Sequence, residues 1–327
     1  MKLKSHLLTT TLFAAASLTA VLAVGAAQSA EALGSQGVLL RTADLPQASR
    51  VALQSAISAD QAKNPELYQT VAKLRGCTPA GYADRRRPMA ECGREMRLMG
   101  PQARWALVTA LAFDAPRTAE GRQPYVSDSD KAAFIRGAVE TLGMLRDPTL
   151  SPVLQAAFLQ QDSQFFEVAA QAVGRTATDS DLALLTQSAR SSNPRQAAAV
   201  SGLGECKRLD SAKTLAQHLQ GRTAAPQLVA NALGRVASAW AWQALVRVNP
   251  SVQAEANQVR ELVANALVRG LVQHGDAESV KQLTNGLMMT EWPQIPALLD
   301  SAAAGQDAAV QARLAEAQRR FVDYSKR

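Results

Sequence analysis

Residues 133–147 read AFIRGAVETLGMLRD, and four later stretches follow the same plan. They are FEVAAQAVGRTATD (166–179), RQAAAVSGLGECKRLD (195–210), PQLVANALGRVAS (226–238) and RELVANALVRGLVQHGD (260–276). Each is an Ala-rich apolar run with helical spacing that reaches a glycine and then a short polar step. The glycines are Gly143, Gly174, Gly204, Gly234 and Gly270, separated by 31, 30, 30 and 36 residues. Self-similarity at such a period is the mark of stacked supersecondary units. The glycines are read as the turns of these units. Asp147, Asp179, Asp210 and Asp276 follow four of them and Ser238 follows the other, each with a side-chain oxygen suited to capping the next helix. What comes next is again amphipathic: TLSPVLQAAFLQ, SDLALLTQSAR, SAKTLAQHLQ, AWAWQALVRV and AESVKQLTNGL. The predicted unit is therefore a first helix, a glycine turn and a capped second helix. One such pair cannot bury its apolar stripe alone, so neighbours must stack.

The steps TLG, AVG, GLG and ALG between apolar helices resemble those of HEAT-like repeats, especially the short bacterial type of about 30 residues related to phycobilin lyases. The resemblance covers Lys131 to Leu287, about half the chain. It implies an all-α fold, an α-solenoid (superhelix) of stacked antiparallel helix pairs with about five regular repeats and atypical end caps. In such solenoids the second helices line the concave side, which would place Gln187, His218, Gln243 and Lys281 there.

The flanks extend the same reading. RLMGPQARWALVTALAF (97–113) looks like the turn and second helix of a degenerate unit whose first helix holds MAECGREMRLM, so 33–113 is expected to form an N-terminal helical cap. DAPRTAEGRQPYVSDS (114–129) has the Pro, Gly and Ser content of a surface loop. Residues 130–288 hold the regular repeats, and 289–327 supply closing helices over Trp292 to Ser301 and Gln306 to Tyr324.

Residues 1–32 read as a secretory signal. Lys2 and Lys4 precede the 14-residue apolar stretch LFAAASLTAVLAVG (Leu12 to Gly25), and Ala30-Glu31-Ala32 offers a small-x-small cleavage pattern. Cleavage after Ser29 and an uncleaved anchor are the alternatives. Export to the bacterial periplasm or beyond is the expectation, in a compartment that permits disulfides. Cys77 and Cys92 flank the turn-rich TPAGYADRRRP and are the best pair; closing that loop would stabilise by ~3 kcal/mol. Cys206 then stays reduced and buried.

The chain has 327 residues, 47% hydrophobic, 5% aromatic and 19% charged, with a net charge of +7. That balance is globular, and past residue 32 no apolar run reaches the ~18 residues of a spanning helix. No Gly-x-Ser-x-Gly, P-loop, dinucleotide fingerprint or HExxH is present, so neither catalytic residues nor a cofactor are expected. His218 and His274 are the only histidines beyond the signal, and with scattered cysteines they make a poor metal set. The pairs Asp128/Asp130 and Asp179/Asp181 are read as helix-start carboxylates.

Two features stand out as partner-binding candidates. Arg85, Arg86, Arg87, Arg94 and Arg97, with Arg104 beyond, form the densest charge cluster: either a solvated face or a contact for an anionic surface. Nucleic acid is not expected, because no aromatics are interleaved and the chain is exported. Trp240 and Trp242 lie about 200° apart on a helix, so they cannot both be core: one is expected between repeats, and the other is either exposed as a contact anchor or packed against the connection Val246 to Val252. The leading functional expectation is an exported non-enzymatic scaffold that binds another protein on a curved surface. A bilin-lyase-like enzyme or small-ligand protein, with Cys206 as its lone thiol, is one alternative. An envelope-associated protein that uses the basic patch is the other.

Overall fold

The structure, a computed structural model, describes residues 39–40, 44–76, 86–112 and 128–325. The signal-type segment 1–32, Cys77, Arg85 and the loop residues 113–127 lie outside the described residues. All regular secondary structure among the described residues is helical. In chain order the helices are α1 (Gln47–Lys63), α2 (Pro65–Lys73), α3 (Arg86–Leu98), α4 (Arg104–Ala112), α5 (Asp128–Met144), α6 (Ser151–Leu159), α7 (Phe166–Thr176) and α8 (Asp179–Arg190). There follow α9 (Gln196–Glu205), α10 (Leu209–Gly221), α11 (Pro226–Val236), α12 (Ala239–Val248), α13 (Gln253–Gln273), α14 (Ala277–Thr290), α15 (Ile295–Ala303) and α16 (Ala308–Ser325). None of them is both long and apolar enough to cross a membrane.

The packing order follows from where the small and branched apolar residues fall. Helices α3, α5, α7, α9, α11 and α14 lie side by side in one row, each packed on the next. Phe134, Leu142, Val173, Leu203, Leu233 and Leu287 from this row are all fully buried in one continuous apolar cluster. Helices α6, α8, α10 and α13 pack against the row from the other side, while α15 and α16 pack on each other and on α13 and α14.

The five repeat glycines do not make turns. Gly143, Gly174, Gly204, Gly234 and Gly270 all sit inside helices, and none has a positive φ. Four of them are where two helices of the row touch. A Cβ on Gly143 would stand 2.6 Å from the Ala172 Cα, one on Gly204 2.9 Å from the Ala232 Cα, and one on Gly234 2.9 Å from the Gly286 Cα. One on Gly174 would collide with the Gly202 carbonyl oxygen. Glycine is selected there for the close approach of backbones rather than for its freedom to turn. The left-handed turn residues come three positions later, at Arg146 (φ 53°) and Ala177 (φ 52°).

The fourth and fifth units also depart from the order expected from the sequence. The sequence pattern pairs α11 with α12 and makes α13 a first helix, but α11 continues the row through α14, and α10 packs on α13. Helix α12 stands aside, touching mainly α13, α14 and the short 3-10 turn Pro250–Val252. Its apolar content explains this. Only Ala239 and Trp242 of α12 are buried, whereas the 21-residue α13 buries a long stripe from Ala256 to Leu271. The helix with more surface to bury takes the inner position. Because α12 enters neither layer, α13 takes the place expected of a second helix and α14 that of a first helix.

Candidate functional site

Helix α12 begins where the Ser238 hydroxyl accepts from the Ala241 amide, the cap anticipated from the sequence. Trp242 points inward, 2% exposed, and its indole nitrogen donates to the Val236 carbonyl at 2.8 Å. Trp240, on the opposite side, is 79% exposed, and Val248 two turns on is 86% exposed. A shallow cleft of ≈ 240 Å³ lies against the inner side, lined by Trp242, Val246, Arg247, Ala256 and Arg260. Arg260 is already engaged: its guanidinium caps the end of α14 through the Thr290 (2.7 Å) and Glu291 (2.6 Å) carbonyls.

A larger open cleft of ≈ 640 Å³ separates α8 from α10, with Thr186, Gln187, Arg190, Arg208 and Thr214 in its walls. Of the residues expected on a concave lining, Gln187 is here and Gln243 is exposed on α12, away from this cleft. Lys281 is exposed on α14 beside Glu278 at 3.8 Å. His218 is buried instead, its Nδ1 2.6 Å from the Thr223 hydroxyl.

The basic run does not form one uniform patch. Arg86 and Arg87 open α3, and Arg94 is exposed. Arg97 pairs with Glu140 of α5 at 3.4 Å. Arg104 pairs with Asp147 and lies over the Trp105 ring at 4.5 Å. Cys92 is buried on α3, and Cys206 is a free thiol in the core. Burial pushes the Cys206 thiol up to about 12, which removes the thiolate a nucleophile needs.

The helix-start carboxylates divide. Asp147 and Asp276 accept from the Thr149 and Ser279 amides as caps. Asp179 is the first residue of α8 and Asp210 the second of α10, so neither is the cap. Thr178 caps α8, with Asp181 completing a capping box. Asp181 is fully buried and also accepts from Ser151 (2.7 Å), Gln155 (2.7 Å) and Thr176 (2.8 Å), stitching α6 to α8.

Sequence reasoning missed one cluster. Glu205, at the end of α9, receives Arg175 of α7 on one oxygen (3.2 Å) and Arg235 of α11 on the other (3.1 Å). These three residues are spaced by 30 in the chain, close to the glycine spacing, so the alternation of sign at that period was the available signal. Lys207 adds hydrogen bonds to the Gly204 and Arg235 carbonyls. Burial raises the Glu205 carboxyl, but Arg175, Arg235 and Lys207 outweigh it and hold the group below the ordinary carboxylate range. Lys207 is lowered to about 8, first by burial and then by the nearby Arg146 and Arg235 charges.

No protein-family model matches the chain, and no curated protein matches it. Among the described residues no three His, Cys, Asp or Glu side chains group to hold a metal. Among the described residues, the Trp240 side of α12 and the α8–α10 cleft are open to solvent.

Proposed function

We propose that this chain is an exported, non-enzymatic adaptor: an α-solenoid of HEAT-like helix pairs, about five repeats between helical caps, that binds a protein partner. The reading places it in the periplasm or outside the cell, from the signal-like N-terminus, with Cys77 and Cys92 as its disulfide. The row of helices joined at successive glycines supports the repeat reading, with the reversed pair after α12 as its one irregularity.

The observation that carries the binding proposal is Trp240. An indole 79% exposed on a helix that belongs to neither layer has no structural task, while its neighbour Trp242 anchors that helix. Tryptophan is the residue type most enriched among binding hot spots, where truncation costs ~2 kcal/mol or more. The test is cross-linked affinity capture of the mature protein from its native envelope, run in parallel with Trp240→Ala. A single protein recovered with the parent and depleted about tenfold or more with the variant, at unchanged circular dichroism, supports the reading. Equal recovery with both, or recovery with neither, overturns it.

A further inference from the structure

Helices α5, α7, α9 and α11 run parallel, because residues near their C-termini meet one another: Gly143 with Ala172, Gly174 with Glu205, and Gly204 with Ala232. Four helix ends therefore share one edge of the molecule. Each brings a partial negative charge of up to about half a unit, which draws cations to the spot. Four arrive: Arg146, Arg175, Lys207 and Arg235, around the carboxylate of Glu205, while Asp147 beside Arg146 is paired with Arg104. Even with every helix end counted in full, positive charge remains in excess.

The donors are not exhausted either. Arg175 Nη1 and Arg235 Nε are buried with no acceptor among the described residues, so Glu205 does not saturate its partners. Lys207 spends its hydrogen bonds on two backbone carbonyls and has three protons to give. Arg146 is exposed at the rim in a left-handed turn, close enough to Arg175, Glu205 and Cys206 to feel their charges. Its planar fork suits two oxygens of a tetrahedral oxyanion.

We infer that this edge binds a phosphate-type oxyanion, with Arg146 and Lys207 as its direct donors and the Arg175–Glu205–Arg235 bridge as the support that sets their positions. The site is separate from the Trp240 surface and stands whether or not that surface docks a protein. Two sources carry this chemistry, free phosphate and an anionic lipid headgroup, and the experiment separates them. Inorganic phosphate is titrated into the full mature chain by calorimetry at constant ionic strength. In parallel, phosphatidylglycerol and phosphatidylcholine vesicles are tested by co-sedimentation.

Saturable phosphate binding, weakened about tenfold by Arg146→Gln and by Arg146→Asn (which suits the left-handed turn) but unchanged by Arg247→Gln, supports a soluble ligand. Co-sedimentation with phosphatidylglycerol alone, lost in the same two variants, supports a headgroup. Thermal melting confirms that each variant folds; the bond from the Arg146 backbone amide to the Gly143 carbonyl survives either substitution. Binding in neither arm, or binding that Arg146→Gln and Arg247→Gln weaken equally, overturns the inference.

Discussion

Gly174 shows how much one missing methyl group decides. Its Cα faces the Gly202 carbonyl oxygen across the α7–α9 contact, and a Cβ there has nowhere to go but into backbone. Backbone cannot rotate aside as a side-chain tip does, so the two helices must separate along a fully packed seam. Gly174→Ala is expected to lower stability by roughly 1–3 kcal/mol or more, read as a fall in the urea midpoint at constant slope. Gly221→Ala serves as the control, because its Cβ would meet only the Thr223 methyl at 3.5 Å. That variant should stay within about 1 kcal/mol of the parent. Equal losses in both would mean that general glycine effects, rather than helix approach, set the outcome. Nothing in the sequence separates a turn glycine from a contact glycine. Both end an apolar helical run, and only the position of the next helix distinguishes them.

At the scale of the element, α12 is the irregular member. Its sequence AWAWQALVRV has the composition of a core helix, yet Trp240 and Val248 face solvent while only Ala239 and Trp242 are buried. The split of the two tryptophans was legible, since residues two apart on a helix face apart. Its exclusion from the layers was not legible. Which of α12 and α13 occupies the place beside α10 depends on a competition for buried area between two candidate stripes. A helix with few buried contacts opens at lower free energy than its neighbours. Amide exchange in α12 should therefore outpace that in α11 and α13 under native conditions. Acrylamide should quench parent fluorescence through a component that Trp240→Phe removes and Trp242→Phe retains. Protection of α12 equal to that of α11 would show that it is held as firmly as the rows.

Over the whole molecule, the parts legible in advance were those set by local rules: helical period, alanine-rich contact faces and most caps. The parts that escaped were set by partners far along the chain. The bridge from Arg175 through Glu205 to Arg235 spans three helices, and His218 went from an expected lining residue to a buried one. That burial has a global consequence with a definite sign. His218 is lowered first by burial and then by Arg190. His274 is lowered first by burial and then by Arg222, with Asp276 opposing and Arg313 reinforcing. The Nε2 atoms of both rings are buried without an acceptor, so the neutral form is the one the fold accommodates. A folded-state value below the unfolded value of about 6.5 means that the unfolded chain binds more protons as pH falls through that window. The stabilisation is complete above about pH 6.5 and is lost as pH drops toward the folded-state values. The depressed carboxyls of Glu205 and Asp147 add a second loss only further down, below the ordinary carboxylate range near about 4. The urea midpoint should thus fall between pH 7.5 and 5.5, above the window in which the Glu205 and Asp147 carboxyls act. In the double variant His218→Gln, His274→Gln that first step should flatten while the acid step persists. A midpoint in the parent that holds steady down to pH 5 would show that these rings are protonated as easily in the fold as out of it.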